Sequence, residues 1–271
     1  MEKEINIAAP TGADSATASP EKVIDITNLT IGFNNVPVLR DFTVQLFEKE
    51  NLVILGKSGS GKSVLIKCIV RLLNPDSGTI NVLGENVNEL NDRDLAEMRK
   101  KIGFLFQSGA LYDSMTIREN LEFPLRRIKK GLSRKQIDEK IVEALENVGL
   151  SDTLHKMPSD LSGGMRKRAS LARTIVVDPM IMLYDEPTTG LDPITSDEIS
   201  SLINEVQKKY KTSSIIITHD IECARATADR MIMLNEGEVY LEGTIDEFES
   251  SQDEMIQSFF KMNNVSSRSN E

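Results

Sequence analysis

Sulfur and imidazole are scarce in this sequence. Of 271 residues, two are cysteine and two histidine. Cys68 and Cys223 stand far apart in segments with helical patterning, and no metal-type spacing joins them to other ligands. A disulfide framework and a structural zinc site are therefore not expected, and the thiols read as structural groups of a reducing compartment. Positive charge is short as well, with a formal net charge of −10. A large nucleic-acid footprint shows as a basic face, so nucleic acid is not expected as a partner. No run of about 18 apolar residues occurs, so no segment is expected to span a bilayer. The opening MEKEINIAAPTGADSATASP has neither a basic n-region nor an apolar h-region and does not read as a secretion signal. Its small polar composition predicts a disordered tail over residues 1–21, and NNVSSRSNE at the other end reads the same way. The expectation is a cytoplasmic protein that reaches a membrane only through a partner. There is no internal repeat.

What is present is an ordinary globular composition, 39% apolar and 27% charged, long enough for one domain or a closely joined pair. VIDITNLTI (23–31) alternates as a strand. NLVILG (51–56), IGFLF (102–106), IMLYD (181–185), SIIIT (214–218) and MIMLN (231–235) are short apolar runs that read as buried strands. Helical patterns lie between them at 62–73, 133–150, after LSGG, and at 196–210. Such alternation predicts a mainly parallel α/β sheet. The first 50 or so residues and GTINVLG (78–84) predict an antiparallel β layer. Residues 108–160 carry no convincing strand and read as a helical insertion.

The stretch GKSGSGKS, Gly56 to Ser63, fits G-x-x-x-x-G-K-[ST] between a strand and a helix, the setting the motif requires. Gly56, Gly59 and Gly61 permit tight turns, and the N–H groups of Lys57, Ser58, Ser60 and their neighbours then face a phosphate at the helix start. Lys62 reaches the terminal phosphates and the Ser63 hydroxyl is a ligand for Mg²⁺. IMLYDE ends a buried strand on Asp185, aimed at the metal, with Glu186 next to it as an acceptor for the proton of an attacking water. SIIITHD ends on His219, placed to hydrogen-bond a γ-phosphate or that water. Gln107 follows IGFLF, and its amide is a candidate for the metal's shell. Strands in such sheets present ligand groups at their carboxyl ends, so these strand ends converge on one site. His155, in TLHKMPSD, has no comparable setting and reads as a surface or packing residue.

A second anion-binding helix start follows in LSGGMRKRASLAR, Leu161 to Arg173. Its basic run, Arg166, Lys167 and Arg168, reads most simply as a solvated helix face.

In this order the pieces resemble an ABC-transporter ATPase subunit, across about residues 23–245. The set is GKSGSGKS, the Q-loop FQSGALYDS, the signature LSGGM, IMLYDE, the D-loop TTGLD and His219. The resemblance implies an α/β P-loop NTPase core with a mainly parallel sheet, an antiparallel β layer and a helical subdomain. It divides the chain into an ATPase domain at 22–245, with the helical subdomain at about 108–176, and a C-terminal helix and tail at 246–271. ATP and Mg²⁺ are the implied ligands. Phe33 matches the aromatic that stacks on adenine; Lys62 and the loop glycines hold phosphates; Ser63, Gln107 and Asp185 surround Mg²⁺. Glu186 is the implied catalytic base, and His219 positions the γ-phosphate. Two copies are implied to close head to tail, so that Ser162, Gly163 and Gly164 of one bind the γ-phosphate held by the other, with Asp192 in the loop that crosses the interface.

FQSGALYDSMTIRENLEFPLR, LSGGMRKRASLAR and LYDEPTTGLDPI look, more narrowly, like ATPases of Mla/Mce-type lipid transporters. Many transport ATPases carry Gln or Glu where Met165 stands, and a methionine cannot hydrogen-bond a ribose as those side chains do. That group implies a multi-spanning permease, an MCE-domain lipid-binding protein, often a small STAS-like subunit, and a place on the cytoplasmic face of the inner membrane. Residues 108–128 would hold the groove for a permease helix. DEFESSQDEMIQSFFK is amphipathic and is expected to pack on its own core, or else on a small partner. Transport of another substrate, such as an amino acid or a metal, is the alternative. A soluble ATPase acting on DNA or ribosomes would bring a coiled-coil insertion, tandem units or a basic patch, none of which is present. A non-hydrolysing module fits poorly with intact Lys62, Asp185, Glu186 and His219.

Overall fold

A computed structural model describes residues 20–266. The tail expected at 1–21 falls almost wholly outside the described residues, as do the last five of NNVSSRSNE. In chain order the elements are β1 (Lys22–Phe33), β2 (Val36–Phe47), β3 (Asn51–Leu55), α1 (Lys62–Ile69), β4 (Ser77–Val82), β5 (Glu85–Asn86), α2 (Asp92–Arg99), β6 (Ile102–Leu105), α3 (Ile117–Ile128), α4 (Arg134–Glu146) and α5 (Gly163–Ile175). They continue as β7 (Ile181–Asp185), α6 (Pro193–Tyr210), β8 (Ser213–Thr218), α7 (Ile221–Thr227), β9 (Arg230–Asn235), β10 (Glu238–Gly243), α8 (Ile245–Ser250) and α9 (Glu254–Ser266).

Two sheets result. The core sheet runs β10-β9-β3-β8-β7-β6, and the other runs β2-β1-β4-β5. In the core sheet β9, β3, β8, β7 and β6 are parallel, and β10 is antiparallel on its edge. Every residue of β3 and β8 is buried, as expected of parallel strands covered on both faces. Their side chains alternate between two hydrophobic clusters with the period of two that strands impose. Val53, Leu55 and Ile216 join the helices of one face, while Leu52, Ile54, Ile215 and Ile217 face α1 and the antiparallel sheet. That second sheet is the β layer the sequence predicts.

Between β6 and β7 the described chain is helical, through α3, α4 and α5. Local sequence explains the helix starts. Thr116 with Glu119 caps α3 and Ser133 with Gln136 caps α4, each as a reciprocal pair that satisfies two otherwise unpaired N–H groups. The buried Asn120 of α3 holds the preceding loop, donating to the Tyr112, Met115 and Thr116 carbonyls at 3.0–3.1 Å and accepting from the Tyr112 N–H at 2.8 Å. At the C-terminus, Phe248, Ile256 and Phe259 join the same cluster as the helical face of the core sheet. The segment therefore packs on its own core. Cys68 and Cys223 are free and buried.

Candidate functional site

Because β3, β6, β7 and β8 are parallel, their carboxyl ends lie along one edge. The stretch 56–61 begins, and Gln107, Glu186 and His219 stand, within two residues past those ends, and Asp185 is the last residue of β7. A cavity of about 590 Å³ opens there. Lys57, Ser58, Gly59, Gly61, Lys62, Ser63, Gln107, Glu186 and His219 line it, so the structure brings together most of the residues expected in the same-chain site.

The loop itself requires glycine. Gly61, at φ +105°, is the N-cap of α1, and a Cβ there would meet Leu39 Cδ2 at 2.8 Å and the Val38 carbonyl oxygen at 2.9 Å. Gly59, at φ +83°, also lies in the left-handed region. Lys62 folds back over the loop and donates to the Gly56 carbonyl at 2.6 Å and the Lys57 carbonyl at 3.0 Å. Its burial pulls its pKa below the ordinary lysine value, with Glu186 and Asp185 opposing. The Ser60 hydroxyl is buried with no hydrogen-bond partner in the described structure, so the loop holds a spare polar group as well as N–H groups for a phosphate.

Ser63 Oγ donates to Asp185 Oδ1 at 3.0 Å. The Asp185 carboxyl is pushed up by burial, against the Ser63 hydroxyl. Among the described residues no group of three or more His, Cys, Asp and Glu is placed to hold a metal. A hydroxyl and one carboxylate are a poor all-protein cage, but they suit Mg²⁺, which keeps waters and takes phosphate oxygens.

Glu186 sits at φ +50°, in the left-handed region that glycine, lacking a Cβ, enters at less cost. Such a backbone costs on the order of 1–3 kcal/mol and persists only where its surroundings fix it. Here the Glu186 N–H donates to the Ile217 carbonyl at 2.8 Å, Thr189 Oγ1 donates to Glu186 Oε2 at 3.0 Å, and His219 Nδ1 lies 2.8 Å from the same oxygen. Lys62 Nζ is 3.9 Å from Glu186 Oε1. Burial pushes the Glu186 carboxyl up, but the bond and charge of His219, with Lys62 and Thr189, outweigh it and leave the pKa below the ordinary value. The same bond to Glu186 raises His219.

Other expected residues stand apart. Phe33 ends β1, 44% exposed, and is not in the cavity lining. Ser162, Gly163, Gly164 and Asp192 also lie outside that lining. Ser162 is the N-cap of α5, its Oγ accepting from the Met165 N–H at 3.3 Å. Gly163 and Gly164 open the helix, where N–H groups have no partner within it. Asp192 caps α6, accepting from Thr195 N at 3.0 Å and Thr195 Oγ1 at 2.6 Å. His155 is exposed, as expected.

One expectation is overturned. Arg166, Lys167 and Arg168 do not form a solvated face: three consecutive residues span about 200° of a helix, and here Arg166 is exposed, Arg168 half-buried and Lys167 buried. Lys167 is 6% exposed and turns inward, donating to the Gln107 carbonyl at 2.8 Å and the Glu186 carbonyl at 3.3 Å. Burial brings its pKa down to about 8, against the pull of Asp185 and Glu186. Arg166 donates to the Leu161 carbonyl at 2.7 Å, and Arg168 lies 3.8 Å from Glu198. Val38, Val64, Thr189 and Phe259 also line the cavity without having been singled out. Thr189 was within reach of sequence reasoning, since it lies three residues past Glu186 in TTGLD. Phe259 was not, being about two hundred residues from the loop it faces.

A phosphate loop on a parallel sheet, with paired carboxylates and a histidine at neighbouring strand ends, defines a P-loop ATPase of the ATP-binding-cassette class. Residues 39–189 match the family described as ABC transporter. The chain is 37% identical over 236 residues to a probable ribonucleotide transport ATP-binding protein, mkl, of Mycobacterium leprae, covering 87% of this chain and 68% of that one. It is 36% identical over 241 residues to the intermembrane phospholipid transport system ATP-binding protein MlaF of Haemophilus influenzae, covering 89% of this chain and 91% of that one. Among solved structures, a dimeric post-hydrolysis state of the ATP-binding cassette MJ0796 bound to ADP and Pi superposes with a TM-score of 0.74 at 32% identity, covering 82% of this chain and 98% of that one. This chain belongs to the ABC transporter family. It is an ATP-binding subunit of such a transporter and it hydrolyses ATP. Among the described residues no helix is long and apolar enough to cross a membrane.

Proposed function

We propose that the chain powers lipid transport, with phospholipid as the cargo, by closing head to tail with a second copy of itself around two ATP molecules. The observation that carries the catalytic part is the placement of Glu186. It is a half-buried carboxylate on a strained backbone, pinned by His219 and Thr189 beside the phosphate-loop lysine. In this reading Glu186 is the general base toward the attacking water. His219 orients the γ-phosphate and fixes the carboxylate. Lys62 and the N–H groups of residues 56–61 hold the phosphates. Ser63 and Asp185 would hold Mg²⁺, with Gln107 beside them, and the ion would neutralise developing phosphate charge. Phe33, exposed at the end of β1, is available to an adenine.

The dimer reading is supported by the absence of Ser162, Gly163, Gly164 and Asp192 from the lining of the chain's own cavity, and by the dimeric form of the MJ0796 cassette. A helix start with unpaired N–H groups is an anion site, and in the isolated chain this one has no phosphate to serve. We assign residues 22–245 to the ATPase domain, about 108–176 to its helical subdomain and 246–271 to a C-terminal helix and tail. The partners in this reading are a multi-spanning permease and an MCE-domain lipid-binding protein, with a small STAS-like subunit as a further component, on the cytoplasmic face of the inner membrane.

The lipid assignment rests on the near full-length similarity to MlaF and on Met165, which packs partly buried against the core cluster and offers no hydrogen bond to a ribose. A second reading, transport of another solute, is favoured by the similarity to mkl, a protein named for ribonucleotides. Two measurements test the proposal. Glu186→Gln is expected to bind ATP, fail to turn it over and dimerise in ATP; wild-type turnover overturns the catalytic assignment. The tagged chain, pulled from detergent-solubilised membranes, is expected to bring down a permease and an MCE-domain protein. A permease that arrives with a solute-binding protein instead overturns the lipid reading.

A further inference from the structure

Lys167 contributes to neither the cavity lining nor any surface, yet its ammonium is placed among the working parts of the site. It stands on α5, five residues beyond Ser162, and donates to two backbone carbonyls from other segments. One is that of Gln107, where the chain leaves β6 for the helical insertion, at 2.8 Å; the other is that of Glu186, past the end of β7, at 3.3 Å. An ammonium buried this far is unfavourable unless its donors are satisfied, and here neighbouring carbonyls satisfy it while the charges of Asp185 and Glu186 lie close by. Any apolar side chain would fill the same space at lower cost in solvation. A lysine here does something a methionine does not: it fixes the direction of the Glu186 peptide.

That direction matters because the Glu186 backbone is left-handed and has to be held there by its surroundings. Its N–H is held by Ile217 and its carboxylate by His219 and Thr189. Its carbonyl is held by Lys167. We infer that Lys167 is a positioning residue for hydrolysis, holding the Glu186 peptide and the Gln107 carbonyl in one register so that the carboxylate meets the attacking water at the productive angle. The same ammonium ties this catalytic corner to the helix that Ser162 caps. The inference rests on the reading of Glu186 as the base.

The test uses the full chain with Lys167→Met, similar in length and without a donor, and Lys167→Gln, which keeps an amide donor at slightly shorter reach. Lys167 touches no phosphate-binding group, so ATP affinity by calorimetry and KM should stay within about twofold of wild type in both. Misplacing a reacting group by about 1 Å can cost about 100-fold in rate, and an interaction made only in the transition state lowers kcat and kcat/KM together. The expected kcat loss is therefore on the order of 10- to 100-fold for Lys167→Met, with Lys167→Gln between it and wild type. Wild-type kcat in Lys167→Met overturns the inference. So does a parallel rise in KM, or a loss of melting temperature with Lys167→Gln no better than Lys167→Met, since either marks a residue that only supports the fold. Glu186→Gln is measured alongside. If it turns over ATP at the wild-type rate, the reading of Glu186 has failed; if it is inactive while Lys167→Met is unimpaired, only the role of Lys167 has failed.

Discussion

His219 Nδ1 and Glu186 Oε2 are 2.8 Å apart, joining the residues that follow two neighbouring parallel strands. The bond holds the imidazole above its ordinary pKa and the carboxyl below its own. A raised histidine pKa in the folded state adds stability that is complete below the ordinary value and fades as pH rises through the raised one. The sequence has two histidines, and His155 is exposed, so two imidazole signals are to be followed by NMR. In nucleotide-free, metal-free protein the His219 signal should titrate above the ordinary histidine range. In Glu186→Gln it should fall back toward that range. Identical titrations in the two proteins contradict the pairing.

Lys62→Ala should bind ATP far more weakly. Its ammonium braces the loop through the Gly56 and Lys57 carbonyls and, in the function proposed, is the positive charge that would meet the terminal phosphates. A charged hydrogen bond is worth about 1.5–3 kcal/mol, or roughly 10- to 150-fold in affinity. Calorimetry with ATP measures it directly, and an unchanged dissociation constant rules out the assignment of the loop.

Phe259→Ala should destabilise the chain. The ring is 5% exposed, packed in the cluster with Phe248 and Ile256, and forms part of the wall of the phosphate-loop cavity. Truncating a buried phenylalanine costs about 3–5 kcal/mol, and a side chain bordering open space belongs near the lower end. Denaturant unfolding of wild type and variant gives the difference; a loss under about 1 kcal/mol means that α9 does not hold to the core as described.

How much of this was legible depends on which physical signal each part carries. β3, β7 and β8 were plain because a strand buried on both faces must be a short apolar run, and the glycine or polar residue that ends the run is then conspicuous: Gly56, Asp185, His219. The phosphate loop was plain because its glycines serve positive φ and close approach at fixed spacing. β10 went unread, since Glu238–Gly243 alternates exposed and half-buried residues without an apolar run. The left-handed backbone of Glu186 leaves no trace in composition. Lys167 was misread because three adjacent basic residues suggest a surface, whereas helical geometry sends each in a different direction. Its carbonyl partners belong to two other loops, and backbone carbonyls are invisible in a list of side chains.

Ser162→Arg separates the two halves of the composite site proposed for the dimer. Ser162 lies outside the chain's own cavity, and its structural duty is one helix-capping bond to Met165. Losing that cap costs about 1 kcal/mol, too little to unfold a domain of this size. An isolated Ser162→Arg chain should therefore bind ATP with nearly wild-type affinity, because every residue lining its cavity is intact. Arginine at the start of α5 brings a long side chain to the surface where, in the proposed dimer, a second copy's triphosphate would dock, and occupies the approach to the Gly163 and Gly164 N–H groups. Steady-state turnover should then be lost while ATP affinity is kept, and light scattering in the Glu186→Gln background should show that Ser162→Arg abolishes the ATP-dependent dimer. If the pure variant still turns over ATP at the wild-type rate, LSGGM serves its own chain or nothing at all, and the shared-site arrangement is wrong.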